Sequence, residues 1–453
     1  MASLSPRKLV ARTTWRNWTG NVRCTPAAIV RPRSEDEVAV AIRRAAAAGQ
    51  NVRVAGSGHS YTEIVSTRGT LLSLENLTGI VSVDAERSEA TVWAGSRLRS
   101  LGEPLWQRGF AMENLGDTDA QALAGAISTA THGSGIELRS LSSQVTGLTL
   151  LTASGDVVEC DEKRETELFK AARVGLGCLG VITRVRLRLK PRYMLSMTMR
   201  HEALETVLAD IEDRLHSRHF EFWYWPDTGL VTTRTTDVTD RPGTENAADR
   251  FVQEMLLENG GLWLVNSIAK AVPASAGAIS RLQAALAPTG ERVDRPYRIL
   301  ATPRLVKLLE CEYSVPAEAG PDCLREIKAW IDRSHVPISF PVEYRYVAGD
   351  DSFLSPYYGR KSAMIDLEQF KGMPYHEYFL AGEEIFRRYG GRPHWGKLHS
   401  RTADELQPLY PEWDRFQEVR RRWDPEGIFI NDYLRRVLEP SDRSPLAGRT
   451  RPG

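Results

Sequence analysis

Val52-Arg53-Val54-Ala55-Gly56-Ser57-Gly58-His59-Ser60 is the stretch from which the fold of this chain is read. A short run of strand-forming residues enters a Gly-x-Gly turn, and the turn presents one histidine among small neighbours. The two glycines leave backbone N–H groups exposed and let them approach a phosphate closely. The imidazole at the apex is a nucleophile and a candidate covalent tether. The stretch is not a dinucleotide fingerprint, because the third glycine of Gly-x-Gly-x-x-Gly would fall at Tyr61. Nor is it a P-loop, since no Gly-Lys-Ser/Thr follows. Alone, Gly-Ser-Gly-His is most often just a turn. Its weight comes from what lies downstream.

A chain of 453 residues has room for two or three domains, each with its own core. Lys and Arg number 59 against 58 Asp and Glu, a net charge of +1. That balance argues against nucleic acid as a partner, because such binding rests on a basic excess. Arg420-Arg421-Arg422 sits in a helix-like stretch and reads as a solvated face. The five cysteines, Cys24, Cys160, Cys178, Cys311 and Cys323, include no Cys-x-x-Cys pair. This argues against a disulfide scaffold or structural zinc and for a reducing compartment. No apolar h-region follows the first residues, and no run approaches the ~20 apolar residues of a membrane span. The expectation is a cytoplasmic protein without a membrane span.

The first ~190 residues alternate strand and helix patterns. Residues 27–32 are strand-like, and Ser34-Glu35-Asp36-Glu37 makes a capping box for a helix that Gly49 stops. Residues 51–55, 70–74, 80–84 and 89–94 read as strands, and 97–108 as one helix ended by Gly109. Residues 124–130 read as a small helix. A hairpin is expected around Ser154-Gly155-Asp156, and a long strand over 180–189 ends at Pro191. Composition shifts after Pro191 toward longer strands, amphipathic helices and most of the tryptophan and tyrosine. The expected division is 15–191, then a second domain over 192–395, a returning segment over 396–438, and a disordered tail over 439–453. Residues 236–248 read as an exposed loop.

Three further segments carry chemistry. Asn114-Leu115-Gly116-Asp117, followed by Gly125-Ala126-Ile127-Ser128-Thr129-Ala130-Thr131-His132-Gly133-Ser134-Gly135, is dense in small and hydroxyl residues. Such a run lets backbone approach a flat or anionic ligand; the plainer reading is tight packing plus a loop. Gly175-Leu176-Gly177-Cys178-Leu179-Gly180-Val181-Ile182 runs three glycines into a strand, as a bare-backbone wall or as a bulge. The last segment pairs Glu343-Tyr344-Arg345 with Arg392-Pro393-His394-Trp395-Gly396-Lys397. Residues two apart in a strand share a face, so Glu343 and Arg345 project together. Alone they would read as a surface ion pair.

Together, in this order, these segments resemble the aldonolactone oxidoreductases of the vanillyl-alcohol-oxidase type, over roughly residues 15–438. The resemblance is strongest to the actinobacterial gulonolactone-oxidising branch, which has a similar Arg-Pro-His-Trp-Gly-Lys and a similar Asp-Asp-Ser-Phe-Leu-Ser (residues 350–355). It implies an α+β fold with two domains: a PCMH-type FAD-binding domain, and a substrate cap built on an antiparallel sheet flanked by helices. It implies FAD bonded through its 8α carbon to His59. Gly56, Ser57, Gly58 and Ser60 would hold the pyrophosphate. Gly116, Asp117, Gly125, Ser128, Thr131, His132 and Gly133 would adjoin the flavin, with Val181 and Ile182 at the adenine side.

In the implied reaction a secondary alcohol carbon of an aldonolactone or polyol gives hydride to flavin N5, and dioxygen takes the electrons to form hydrogen peroxide. Glu343, Arg345 and Lys397 match the family's substrate-site residues. Arg345 and Lys397 would stabilise developing negative charge and Glu343 would hold the substrate hydroxyls or assist proton removal. Gly116 would leave dioxygen a path. One departure concerns Asp366-Leu367-Glu368, acidic where relatives carry neutral residues or a histidine. Glu368 could bind extra hydroxyls or a basic group of the substrate, or form a structural ion pair. The alternatives are an acceptor-dependent dehydrogenase of the same family, an oxidase of an alditol or of a specialised, amine-bearing metabolite, an inactive flavin binder, and a sugar-binding module without cofactor.

Overall fold

Loop-to-sheet connections in the N-terminal half place the histidine turn at the mouth of a parallel sheet. The computed structural model describes residues 13–244, 255 and 259–441. Strand Thr70–Ser73 lies between Ala28–Val30 and Val52–Ala55, parallel to both. Helix Glu35–Ala47 makes the crossover and buries Val38, Ala41, Ile42 and Ala45, one face at helical spacing. Ser34 caps it by accepting the Glu37 N–H at 3.2 Å. The expected box is offset by one residue: the Glu37 carboxylate takes the Arg33 N–H at 2.8 Å instead. Residues 56–60 follow the carboxyl end of Val52–Ala55, where open α/β sheets bind ligands.

A second, antiparallel sheet orders Val157–Asp161, Val145–Leu151, Val181–Arg188, Glu89–Trp93 and Ile80–Asp84. The hairpin around Gly155 forms as expected. The single helix expected over 97–108 divides into a short turn, Leu98–Ser100, and the helix Gly102–Gln107. The Leu98 and Arg99 N–H groups bond the Gln121 and Asp119 carbonyls, so tertiary partners take the donors.

Residues 194–393 supply an eight-stranded sheet, in the order Gly290–Asp294, Met194–Ala203, Leu230–Thr239, His219–Tyr224, Val342–Val347, Ser362–Phe370, Leu308–Pro316 and Arg392–Pro393. The loop expected over 236–248 is thus corrected. Thr236 to Thr239 extend a strand and pair with residues 194–197, because long cross-strand pairing outweighs local polarity. Residues 245–248 lie outside the described residues. One face of the sheet is apolar: Phe222, Tyr344, Cys311, Tyr313, Ile365 and Leu367 pack under helices Gly320–Arg333 and His376–Arg388. The alternate residues, Glu221, Glu343, Arg345, Asp366, Glu310 and Glu312, lie on the opposite face and are nonetheless buried.

The C-terminal segment returns to the first half. Helices Trp413–Trp423 and Asp432–Leu438 bury Phe416, Leu434 and Val437 in the core that contains Val38, Ile42 and Leu72. The Val52 N–H bonds the Ile428 carbonyl at 2.7 Å, and the Tyr61 N–H bonds the Gly396 carbonyl at 2.7 Å. Of the tail expected over 439–453, residues 442–453 lie outside the described residues. All five cysteines are free. Among the described residues, no helix is long and apolar enough to cross a membrane.

Candidate active site

One cavity joins the glycine-rich half to the charged face of the large sheet. Its glycine-rich wall is residues 53–62, residues 124–126 with Ser128, Thr129 and Thr131, and Leu176, Gly177, Gly180 and Ile182. Its charged wall includes Asp117, Arg304, Glu310, Glu312, Arg345 and Lys397.

The histidine turn is held from several sides. Gly58 has φ +73°, and a side chain there would meet Asn17 Cα at 3.2 Å. The Trp18 N–H donates to the Gly58 carbonyl at 2.8 Å, and Asn17 Nδ2 donates to the Ser60 carbonyl at 3.0 Å. Trp18 stacks on the His59 ring at 5.0 Å between centroids. Burial, then Arg97, Arg99 and Lys397, pulls the His59 pKa down from 6.5 to about 4. At neutral pH its imidazole is therefore unprotonated and nucleophilic. Beneath the turn, the buried Arg53 guanidinium donates to the carbonyls of Ile64, Leu176 and Gly177 at 2.8 Å each, and also to that of Phe429. One side chain ties the strand, the glycine run and the C-terminal return together.

On the opposite wall, cross-strand register assembles the charges. Glu343 is buried and accepts from the Arg345 guanidinium. Arg345 also pairs with Asp117 at 3.3 Å and Glu221 at 3.6 Å. Lys397 lies against Glu310, 3.0 Å from Asp366 and 3.8 Å from Glu312. Burial draws its ammonium down to about 7. Against the cost of burial, Arg304, Arg345 and Lys397 hold Asp117 far below the usual carboxylate range. Burial raises Glu343, and it raises Asp366 together with neighbouring Glu312, Glu368 and Glu343. Glu368 is pushed up to about 8, first by burial. His132 bonds Glu312 through Nε2 at 3.0 Å and the Gly133 carbonyl through Nδ1 at 2.8 Å. Despite burial, His132 and then His394 hold Glu312 down to about 2.

The expected residues divide into three sets. Gly56, Ser57, Gly58, His59, Ser60, Asp117, Gly125, Ser128, Thr131, His132, Ile182, Arg345 and Lys397 line the cavity. Glu343 and Glu368 stand one layer back, each against an arginine that lines it: Glu343 on Arg345, and Glu368 on Arg304 at 3.4 Å. Gly116, Gly133 and Val181 are not among the lining residues. Val181 is a core side chain. A side chain at Gly133 would collide with the Leu115 carbonyl, so close backbone packing requires that glycine. A Cβ on Gly116 would meet Thr131 Cγ2 at 2.9 Å and the His132 carbonyl at 3.1 Å. That position therefore reaches the cavity only through Thr131.

Reading the sequence missed Arg53, Trp18, Arg304, Glu310, Glu312 and His394. A signal for two of them was present: Glu310 and Glu312 alternate with Leu309, Cys311 and Tyr313, the period of a strand with one charged face.

Fold and cavity define the class: a vanillyl-alcohol-oxidase-type FAD-binding protein with an α+β architecture. The fold is that of cholesterol oxidase from Brevibacterium sterolicum, matched with a TM-score of 0.78 at 16% identity over 97% of this chain and all of the other. Residues 26–161 match the FAD binding domain, and residues 185–437 match the family described as D-arabinono-1,4-lactone oxidase. The chain is 42% identical to L-gulono-1,4-lactone dehydrogenase of Mycobacterium tuberculosis, over 94% of this chain and 99% of the relative. It is 34% identical to L-gulonolactone oxidase of Bos taurus, over 94% and 98%. The chain belongs to the aldonolactone oxidoreductase family, FAD-dependent oxidoreductases of CH–OH donors.

Proposed function

We propose that this chain is an oxidase of a sugar lactone or polyol, carrying FAD bonded through its 8α carbon to His59 and passing electrons to dioxygen. The carrying observation is that a single cavity runs from the histidine turn to Arg345 and Lys397. The residues present fit the cofactor. Gly56 to Ser60 offer bare backbone, and the buried Ser57 Oγ and Gln121 Oε1 have no hydrogen-bond partner among the described residues. When bound, FAD supplies the hydride acceptor and hands its electrons to dioxygen, giving hydrogen peroxide. The residues around it do the rest. His59, unprotonated at neutral pH, offers a ring-nitrogen lone pair for the covalent bond. Arg345 and Lys397 place positive charge where negative charge develops. Glu343, one layer back, is bonded to the Arg345 guanidinium and orients it at the cavity wall. The division into 15–191 completed by 396–438, with 192–395 as the substrate cap, belongs to the same reading.

A second reading, a dehydrogenase using another acceptor, is favoured by the 42% identity to a relative named as a dehydrogenase. A panel of aldonolactones and alditols, assayed for peroxide and for dye reduction, separates the two. For the linkage, acid-precipitated protein should stay yellow and a His59 peptide should carry the flavin mass. His59→Ala should release its flavin into the supernatant and turn over more slowly. Because the His59 pKa is about 4, acid-stable incorporation of FAD into apoprotein should be level from pH 5 to 8. It should fall only as pH drops through about 4, where the imidazole takes a proton. Quantitative release of flavin from the wild type refutes the linkage.

A further inference from the structure

Two adjoining helices outside the cavity carry apolar side chains on both of their sides. Helix Leu262–Ala271 and helix Ala276–Leu286 are joined by the turn Pro273–Ser275. Their inner faces are core: Ala269, Ala276 and Ile279 pack with Val306, Phe340 and Phe370. Between the helices Asn266 Nδ2 donates to Gln283 Oε1 at 3.2 Å. A surface helix normally turns a polar face outward. Here Trp263, Leu264, Ile268, Val272, Leu282 and Leu286 are 43–71% exposed. Of the thirteen large apolar side chains that stand exposed among the described residues, six fall between 263 and 286, so they form a patch rather than a scatter.

Charge says what covers the patch. From residue 259 to residue 290 the chain has no Asp or Glu, and its only charged residues are Lys270 and Arg281. At 100° per residue Lys270 projects on the same side as Trp263, at the edge of the apolar face. Its ammonium lies over Gly372, where an added side chain would meet Nζ at 2.6 Å. Further cations gather there. The Lys371 N–H bonds the Lys307 carbonyl at 3.1 Å, and Lys371 Nζ donates to the Thr19 carbonyl. Burial, then Lys307, Arg23 and Lys270, lowers the Lys371 pKa. Asp227 abuts Gly277, which lies across the second helix from Leu282 and Leu286, so this acid is off the apolar face. Apolar side chains that include a tryptophan, edged by lysines, complement an anionic lipid surface. A second copy of the chain complements them poorly, because a two-fold contact buries the same patch on both partners and brings cations to cations.

We propose that the outer faces of helices Leu262–Ala271 and Ala276–Leu286, edged by Lys270, Lys307 and Lys371, dock on an anionic lipid surface. The helices lie in the interface and do not span it, since a span needs about 20 residues. The docked face adjoins the cavity. Asn259 Nδ2 donates to the Pro303 carbonyl at 2.8 Å, and Asn259 Oδ1 accepts the Leu305 N–H at 2.7 Å. The loop so held carries Leu305, itself 55% exposed, next to Arg304 of the cavity wall.

The test sediments the full-length, FAD-loaded protein with vesicles of phosphatidylcholine alone and with vesicles in which about a third of the lipid is phosphatidylserine. Binding to the anionic vesicles should be stronger by about 10-fold or more, and should weaken as salt rises. Lys270→Gln and Lys307→Gln should each weaken it about five-fold. Leu264→Ser combined with Ile268→Ser should abolish it. Leu286→Ser, at the most exposed of the six positions, tests the same loss where little packing is disturbed. None of these residues lines the cavity, so flavin content and anaerobic flavin reduction in solution should match the wild type in every variant. Wild-type protein that stays in the supernatant, or binds both vesicles equally, would overturn the proposal. So would variants that bind as the wild type does. Self-association in analytical ultracentrifugation that Leu286→Ser removes would overturn it too, by assigning the face to a second copy of the chain.

Discussion

At the scale of single residues, charge burial decides what each group does. Arg345 and Lys397 bring cations to a largely buried wall, where a preorganised charge is screened less than on the surface. Arg345→Ala and Lys397→Ala should each lower kcat by on the order of 10²–10³, with a smaller effect on KM. Near-wild-type rates of anaerobic flavin reduction in either variant would remove that residue from the reaction. Gly116 shows how a neighbour changes a prediction. Reading the sequence suggests an oxygen path beside the flavin, with substrate oxidation untouched by an added methyl. The Cβ of Gly116→Ala, however, presses on Thr131 and on the His132 carbonyl. The neighbours must shift to make room, and both Thr131 and His132 line the cavity. Gly116→Ala should therefore slow both half-reactions in stopped flow. A loss confined to reoxidation would restore the simple oxygen gate.

At the scale of elements, the large sheet works because its two faces differ. The apolar face is paired with two helices, and the opposite face is free to carry chemistry. In Val342–Val347, Ser362–Phe370 and Leu308–Pro316 the alternation sorts the residues, and register then sets which charges meet. The acidic pattern in these strands was legible in sequence; which acid faces which was not, since a shift of one residue would exchange the faces. Arg53 has the same character. Within a strand it looks like one alternating polar residue, yet it satisfies carbonyls from three separate segments. Arg53→Met should strip their donor and cost about 3 kcal/mol or more. Urea unfolding of the variant should show a lower midpoint with an unchanged slope. An unchanged midpoint would mean that water replaces the guanidinium at no cost.

At the scale of the whole molecule, the C-terminal return makes the N-terminal half dependent on residues some 400 positions away. Phe429, Leu434, Val437 and Leu438 are fully buried in the N-terminal core. At about 1.5–3 kcal/mol for each buried side chain they contribute on the order of 6–12 kcal/mol, comparable to a total stability of roughly 5–15 kcal/mol. A chain ending at residue 426 should lose cooperative unfolding and fail to retain FAD, as circular dichroism and gel filtration would show. A truncated chain that unfolds at the full-length midpoint would contradict this dependence.

The local sequence alone determined the histidine turn, because two glycines and a strand-forming run leave the backbone few other choices. It also determined the shared face of Glu343 and Arg345, because the strand period is two. The four motifs in order were enough to assign the family. Only tertiary structure decided that Glu310, Glu312 and Arg304 meet at the cavity wall, because strand order and register are not properties of any one segment. It also decided that Gly116 acts through Thr131, and that Arg53 clasps the glycine run to the C-terminal return. Those contacts join residues whose separation along the chain carries no local signal, and burial makes them strong once the fold has brought them together.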